Sequence, residues 1–204
     1  MSLLATRRPI FNRTGQVLAY ELLFGADLDR LIRANRHDRA SLETIADTIL
    51  SRGLEPLANG EQAFLGFSRD ALLAGLATLL PADVIVVEIS DRIQADRQVI
   101  EACEHLRRSG YRLALDDFLS SPRPSGLLRV ADVVKIDFRS ASPRTRELLA
   151  RILVRKGLQL IAAGIETDWD HREALGLGYA GLQGSFFEKP RFVSVAEIPP
   201  PRPT

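Results

Sequence analysis

Short apolar, β-branched runs alternate with helix-patterned segments at a fairly even beat through almost the whole chain. That alternation narrows the fold more than any other feature, because repeated βα units build a parallel sheet with helices packed outside it. Residues 63–67, 84–89, 112–115, 132–136, 158–162 and 180–183 read as strands. Between them, residues 41–52 place Leu42, Ile45, Ala46, Ile49 and Leu50 on one helical face, with Ser41 as the expected N-cap and Gly53 as the terminator. Further helices are expected over 70–80, stopped by Pro81, over 94–109, closed by Arg107, Arg108 and Gly110, and over 169–177. Ser142-Pro143 opens another that runs to about Lys156, with proline at the first helical position.

The chain begins differently. Residues 8–11 and 17–24 flank the turn-forming cluster Asn12-Arg-Thr-Gly15, which predicts a hairpin. The whole then reads as an α/β protein, a TIM-like (β/α) barrel with an opening β-hairpin. Residues 1–190 form the expected barrel domain and residues 191–204, ending in Ile198-Pro-Pro-Pro-Arg-Pro-Thr204, a proline-rich tail or linker. At 204 residues and 46% apolar composition the chain is long enough to bury a sizeable core.

Polar residues end the strand-like runs. Period-2 alternation puts Val84, Val86 and Glu88 on one face, Ala114 with Asp116, and Val133, Lys135 and Asp137 together. Glu21 and Gln183 end their runs in the same way. Where parallel strands close into a barrel, such groups converge at the mouth formed by the C-terminal strand ends. A mouth lined by Glu21, Glu88, Asp116 and Asp117, with Lys135 close by, is an oxygen-rich site for a hard divalent cation such as Mg²⁺ or Mn²⁺. Metal-assisted phosphodiester cleavage uses such a site to activate water and offset phosphate charge.

Each of these residues also has a purely structural reading. Strand-end Asp and Glu often cap the next helix, and a lysine can run along apolar surface to the rim. Two features weigh against it. Adjacent carboxylates at Asp116 and Asp117 repel unless a cation offsets them. Lysine is also scarce, since Lys135, Lys156 and Lys189 are the only ones among 27 basic residues. His37, His105 and His171 lack metal-ligand spacing and are expected at the surface, and Trp169 is expected to pack.

Composition excludes other classes. The net charge of +1 gives no global field for a nucleic acid polymer or an anionic membrane. Cys103 is the single cysteine, so there is no intrachain disulfide or multi-cysteine metal site. No apolar stretch reaches the roughly 20 residues of a membrane span, and no apolar signal core follows Arg7 and Arg8. A cytoplasmic location is expected.

The ordered motifs resemble the EAL domain, the TIM-like barrel of bacterial cyclic di-GMP phosphodiesterases. The resemblance is carried by Tyr20-Glu-Leu-Leu-Phe-Gly25, Val87-Glu-Ile-Ser-Asp91, Leu113-Ala-Leu-Asp-Asp-Phe118, Val133-Val-Lys-Ile-Asp137, Ile161-Ala-Ala-Gly-Ile-Glu166 and Leu182-Gln-Gly-Ser-Phe-Phe-Glu-Lys-Pro190. It implies Glu21, Glu88, Asp116 and Asp117 as metal ligands and Lys135 beside the metal-bound water and phosphate. It further implies catalytic roles for Lys135, Glu166 and Gln183 and ligand-binding roles for Asp91 and Asp137. Departures accompany it. Gly66 stands where the family has an Asn metal ligand, Ala163 where it has a Glu, Asp91 for a second Glu, and Gly25 for a phosphate-gripping Arg. Leu119-Ser-Ser-Pro-Arg-Pro124 replaces the loop that organises metals and dimer contacts.

The opening Arg7-Arg-Pro-Ile-Phe-Asn12 is similar to a subgroup in which the barrel precedes a helical HDOD module. The implied function is a catalytically degenerate EAL-like signal-transduction domain acting through a signalling partner or an HDOD-like module, with residual Mg²⁺, Mn²⁺ or cyclic di-GMP binding. Its rivals are a weak Mg²⁺- or Mn²⁺-dependent cyclic di-GMP phosphodiesterase and another phosphate-ester or sugar-phosphate enzyme on the same barrel.

Overall fold

The computed structural model describes residues 2–24, 33–34, 37–118 and 126–197. Gly25, the 119–124 loop and the proline-rich end from residue 198 lie outside these. The expected hairpin pairs β1 (Ser2–Phe11) antiparallel with β2 (Val17–Phe24), with Arg8 opposite Glu21. Parallel strands follow: β3 (Gln62–Gly66), β4 (Ile85–Ser90), β5 (Arg112–Asp116), β6 (Val133–Asp137), β7 (Gln159–Ala163) and β8 (Gly181–Leu182). Each pairs with the next, and β8 pairs with β1, so eight strands close a barrel.

The pleat sorts the core into two parts. Ile10, Ala19, Phe64, Val86, Ala114, Val133 and Ile161 fill the barrel interior. The alternate residues, including Leu22, Leu65, Val87, Leu113, Val134 and Leu160, face outward and pack under the helices. Below the interior ring, Arg112 donates to the side-chain oxygens of Gln62 (3.3 Å) and Gln159 (2.6 Å), so a polar plug closes the bottom. Two residues above the ring, on the same inward face, lie the residues of the mouth.

The helices form largely where their signals stand, with three corrections. Helix α1 (Arg39–Ile49) is capped by Asp38, whose side chain accepts from the Ala40 amide, and not by Ser41. Gly53 does not end it: a π-helical segment (Leu50–Leu54) leads into α2 (Glu55–Ala58), and the chain turns away at Asn59 in the left-handed region. The segment expected as one helix over 70–80 is α3 (Arg69–Leu73) followed by a 3₁₀ turn (Leu76–Leu79), because Gly75 adopts φ +72° between them.

Helix α4 (Arg97–Arg108) is capped by Asp96, and α5 (Pro143–Arg155) by Ser142 as expected. Helix α6 (Asp168–Gly176) opens with a Thr167/Asp170 capping box. Trp169, expected to pack, is 74% exposed, because it sits on the solvent side of the first turn of α6. A further strand, β9 (Arg191–Glu197), pairs antiparallel with β1 beyond the expected domain end at residue 190. No helix among the described residues is long and apolar enough to cross a membrane.

Candidate metal centre

Each barrel strand contributes an inward position near the mouth. They are Arg8, Glu21, Gly66, Glu88, Asp116, Lys135, Ala163 and, just past β8, Gln183. Strand periodicity sends these side chains inward: Glu21, Gly66, Glu88, Asp116, Lys135 and Ala163 each follow an interior core residue by two, Arg8 precedes Ile10 by two on the antiparallel β1, and Gln183 follows Gly181 by two. Closure then brings positions remote in sequence together.

Lys135 is the hub. Its ammonium donates to Glu21 Oε1 at 2.7 Å and Glu88 Oε1 at 2.6 Å, and Asp116 Oδ1 lies at 3.6 Å. Gln183 Nε2 donates to the other oxygen of Glu21 at 2.8 Å, and Arg8 approaches that oxygen to 3.8 Å. Glu21, Glu88, Lys135 and Gln183 are all buried. The rim placement considered for Lys135 is therefore not the one adopted.

Burial and charge pull the acidities apart. Burial raises the Glu88 carboxyl to about 8, with Glu21 and Asp116 adding to the rise and Lys135 only partly countering it. Burial also raises Asp116. In Glu21 the same effect is outweighed by the Lys135 ammonium, its hydrogen bond, Arg8 and Gln183, which leave it below the usual carboxylate range. For Lys135, burial works against the charge, but Glu88, Glu21 and Asp116 more than compensate and hold it protonated.

The remaining expected residues lie apart from this cluster. Asp117 takes φ +54°, and its carboxylate turns to Arg92 at 3.5 Å. Asp137 stands above Lys135 on β6 and grips Arg139 through Nε (3.0 Å) and Nη2 (3.2 Å). That pair lies against Gly164, at φ +70°, where a Cβ would collide with it. Glu166 is exposed and lines a cleft of about 230 Å³ with Arg8, Arg139, Ala163 and Gln183. Asp91 is buried, and its amide donates to the Asp116 carbonyl at 2.8 Å.

Sequence reasoning missed Arg8, Arg92 and Arg139. Period-2 counting back from Ile10 on β1 was the available signal for Arg8. Nothing local announced the other two.

Glu21, Glu88 and Asp116 each offer an oxygen, all within 4.8 Å of one another. Carboxylate oxygens are the donors that Mg²⁺ and Mn²⁺ favour, so the set fits a hard divalent cation. Gly66 and Ala163 bring no donor to the mouth.

Comparison with known proteins agrees with the barrel architecture. A family model described as the EAL domain matches residues 67–190. The uncharacterized protein YuxH of Bacillus subtilis is 32% identical over 95% of this chain and 49% of its own length. The cyclic di-GMP phosphodiesterase CdgJ of Vibrio cholerae is 32% identical over 95% of this chain and 46% of its own. The chain thus spans about half the length of these relatives.

Among solved structures, a manganese and cyclic di-GMP complex of Klebsiella pneumoniae BlrP1 superposes with a TM-score of 0.72 at 19% identity, covering 96% of this chain and 57% of that one. The EAL domain of Mycobacterium smegmatis DcpA gives 0.70 at 21% identity, covering 92% of both chains. These two show the shared fold. With the family model spanning more than half of the residues and carboxylates gathered at the mouth of a closed barrel, the chain belongs to the EAL domain family, related to cyclic di-GMP phosphodiesterases.

Proposed function

We propose that this domain is a catalytically degenerate EAL-like signal-transduction module that acts mainly through protein contacts and keeps residual binding of a divalent cation or cyclic di-GMP at its mouth. The observation that carries the reading is that two mouth-facing positions, Gly66 and Ala163, hold no donor. In-line displacement at a phosphodiester is best served by paired cations that stabilise both the attacking and the leaving oxygen. Removing even supporting groups around a metal commonly costs about 10- to 100-fold, and direct ligands more. The partner in this reading is a signalling protein or an HDOD-like module.

The surviving set favours a second reading, slow Mg²⁺- or Mn²⁺-dependent hydrolysis of cyclic di-GMP. A bound cation would supply Lewis acidity and a water of lowered pKa. Glu21, Glu88 and Asp116 would hold it, and Gln183 would fix Glu21 in place. Lys135 would offset negative charge on a bound phosphodiester. Glu166, at the cleft edge, and Asp137, through its grip on Arg139, would then face the ligand and not the cation.

Turnover separates the two. Incubation with cyclic di-GMP and Mn²⁺, followed by chromatography, is expected to yield no more linear dinucleotide than the Glu88→Ala variant. Product formed by the parent and lost in that variant would overturn the degenerate reading.

A further inference from the structure

We propose that this mouth takes a single divalent cation, held by Glu21, Glu88 and Asp116, with the Lys135 ammonium filling the electrostatic role that a second cation would have. The inference rests on the mouth being a metal site, as read above, and concerns how many ions its residues can support. Charge is the first argument. Three carboxylates converge on one ammonium, a formal surplus of two negative charges that falls to one when the part-exposed Arg8 guanidinium, 3.8 Å from Glu21, is counted, and one divalent ion is enough to offset it. A second would leave the mouth with at least two uncompensated positive charges, beside an ammonium already 2.7 Å from Glu21 and 2.6 Å from Glu88. Unpaired charge is strongly disfavoured where water is excluded.

Donor supply is the second argument. A pair of close cations needs carboxylates that bridge them and further oxygens at each flank. Glu21 keeps one lone pair on each oxygen for a cation, because Lys135 takes the other on Oε1 and Gln183, at 2.8 Å, the other on Oε2, which limits its capacity to bridge two ions. Asp117 is turned to Arg92 by its left-handed backbone. On the flanks stand Gly66 and Ala163. A Cβ built at Gly66 meets nothing within 4 Å, and Ala163 lines the open cleft of about 230 Å³. Residue type, and not lack of room, removes the donors there, so adding side chains at these two positions should add the second site.

The experiment is a titration of the chelator-stripped protein with Mn²⁺ at physiological ionic strength, with free ion counted by electron paramagnetic resonance. One tightly held Mn²⁺ per chain is expected. Glu88→Gln should weaken it by more than about 100-fold, and Gln183→Ala, which removes only the support of Glu21, by about 10-fold. Asp117→Asn should leave affinity within about twofold. The double variant Gly66→Asn/Ala163→Glu should hold two ions.

Two ions in the parent protein would overturn the proposal. So would none at millimolar Mn²⁺, loss of the ion in Asp117→Asn, or a double variant that still takes one. Ion count is independent of turnover. An inactive protein with two ions would refute this inference and leave the degenerate reading standing, whereas an active protein with one ion would do the reverse.

Discussion

Replacing Lys135 by methionine keeps most of the side-chain length and removes the charge on which the mouth depends. Glu21 and Glu88, both buried, would lose an ammonium at 2.7 and 2.6 Å. Deleting one partner of a buried ion pair typically costs about 3 to 5 kcal/mol, because the remaining charge stays desolvated. For a chain of this size that is a fall in Tm of roughly 6 to 20 °C. Protonation of the stranded carboxyls limits the loss and gives it a pH signature. Burial already pushes the Glu88 carboxyl up to about 8, against an ordinary value of 4.5, and without Lys135 the same burial would carry the carboxyl of Glu21 above that value too.

A carboxyl whose folded pKa is raised binds more protons folded than unfolded. Its contribution therefore worsens as pH climbs from the unfolded value toward the folded one, by up to about 1.4 kcal/mol per pH unit and group. The parent already carries this trend through Glu88, and the variant adds Glu21. Its deficit should therefore be clearly smaller at pH 5 than at pH 7. Urea unfolding followed by circular dichroism, in chelator at both pH values, measures it. The triple variant Lys135→Met/Glu21→Gln/Glu88→Gln, which removes both stranded carboxyls, should recover most of the loss. A deficit at pH 7 below about 1 kcal/mol, the range of an exposed pair, or one identical at both pH values, would refute the reasoning.

Other perturbations test the frame around the mouth. A methyl at Gly184 would run into the backbone of Ile165, which pairs with the backbone of Gln183 and Phe186, so Gly184→Ala should cost about 3 kcal/mol in denaturant unfolding and weaken Mn²⁺ binding by displacing Gln183. Arg146→Met removes a buried guanidinium that joins Glu173 (2.6 Å) and the carbonyls of Ala141 (2.9 Å) and Phe138, and a loss of about 3 to 5 kcal/mol is expected by the same assay. Asp170→Ala opens the α6 capping box, at a cost of about 1 kcal/mol near neutrality. Burial pushes the Asp170 carboxyl up, but hydrogen bonds from Thr167 and Glu166 together with Arg146 hold it below its ordinary value of 3.8. The contribution is thus present above that pH and fades as the solution is acidified through the folded value. An Asp170→Ala deficit that persisted unchanged in acid would contradict that linkage.

Much of the mouth was legible because a strand writes its inward face every second residue. Glu88, Asp116 and Lys135 follow Val86, Ala114 and Val133 by two, and all three meet at the mouth. The alternation of strand and helix patterns likewise determined the barrel and its opening hairpin, and Ser142-Pro143 marked the start of α5 correctly. Local sequence carried less about how segments continue. Gly53 looked like a helix end, yet packing of Leu54, Leu57 and Ala58 into the core carries the chain on through a π turn.

Tertiary structure alone decided which polar groups would share the site. Asp116 and Asp117 are neighbours of identical chemistry, but one backbone angle of +54° sends the second to Arg92, a residue on another segment. Asp137 lies on the same inward face as Lys135, yet two residues higher it meets Arg139 and not the carboxylates. Gln183 gained its partner, Glu21, only when β8 closed onto β1. The physical reason is common to all three: periodicity within a strand sets which way a side chain points, whereas closure of the barrel and the handedness of single turns set what it finds there.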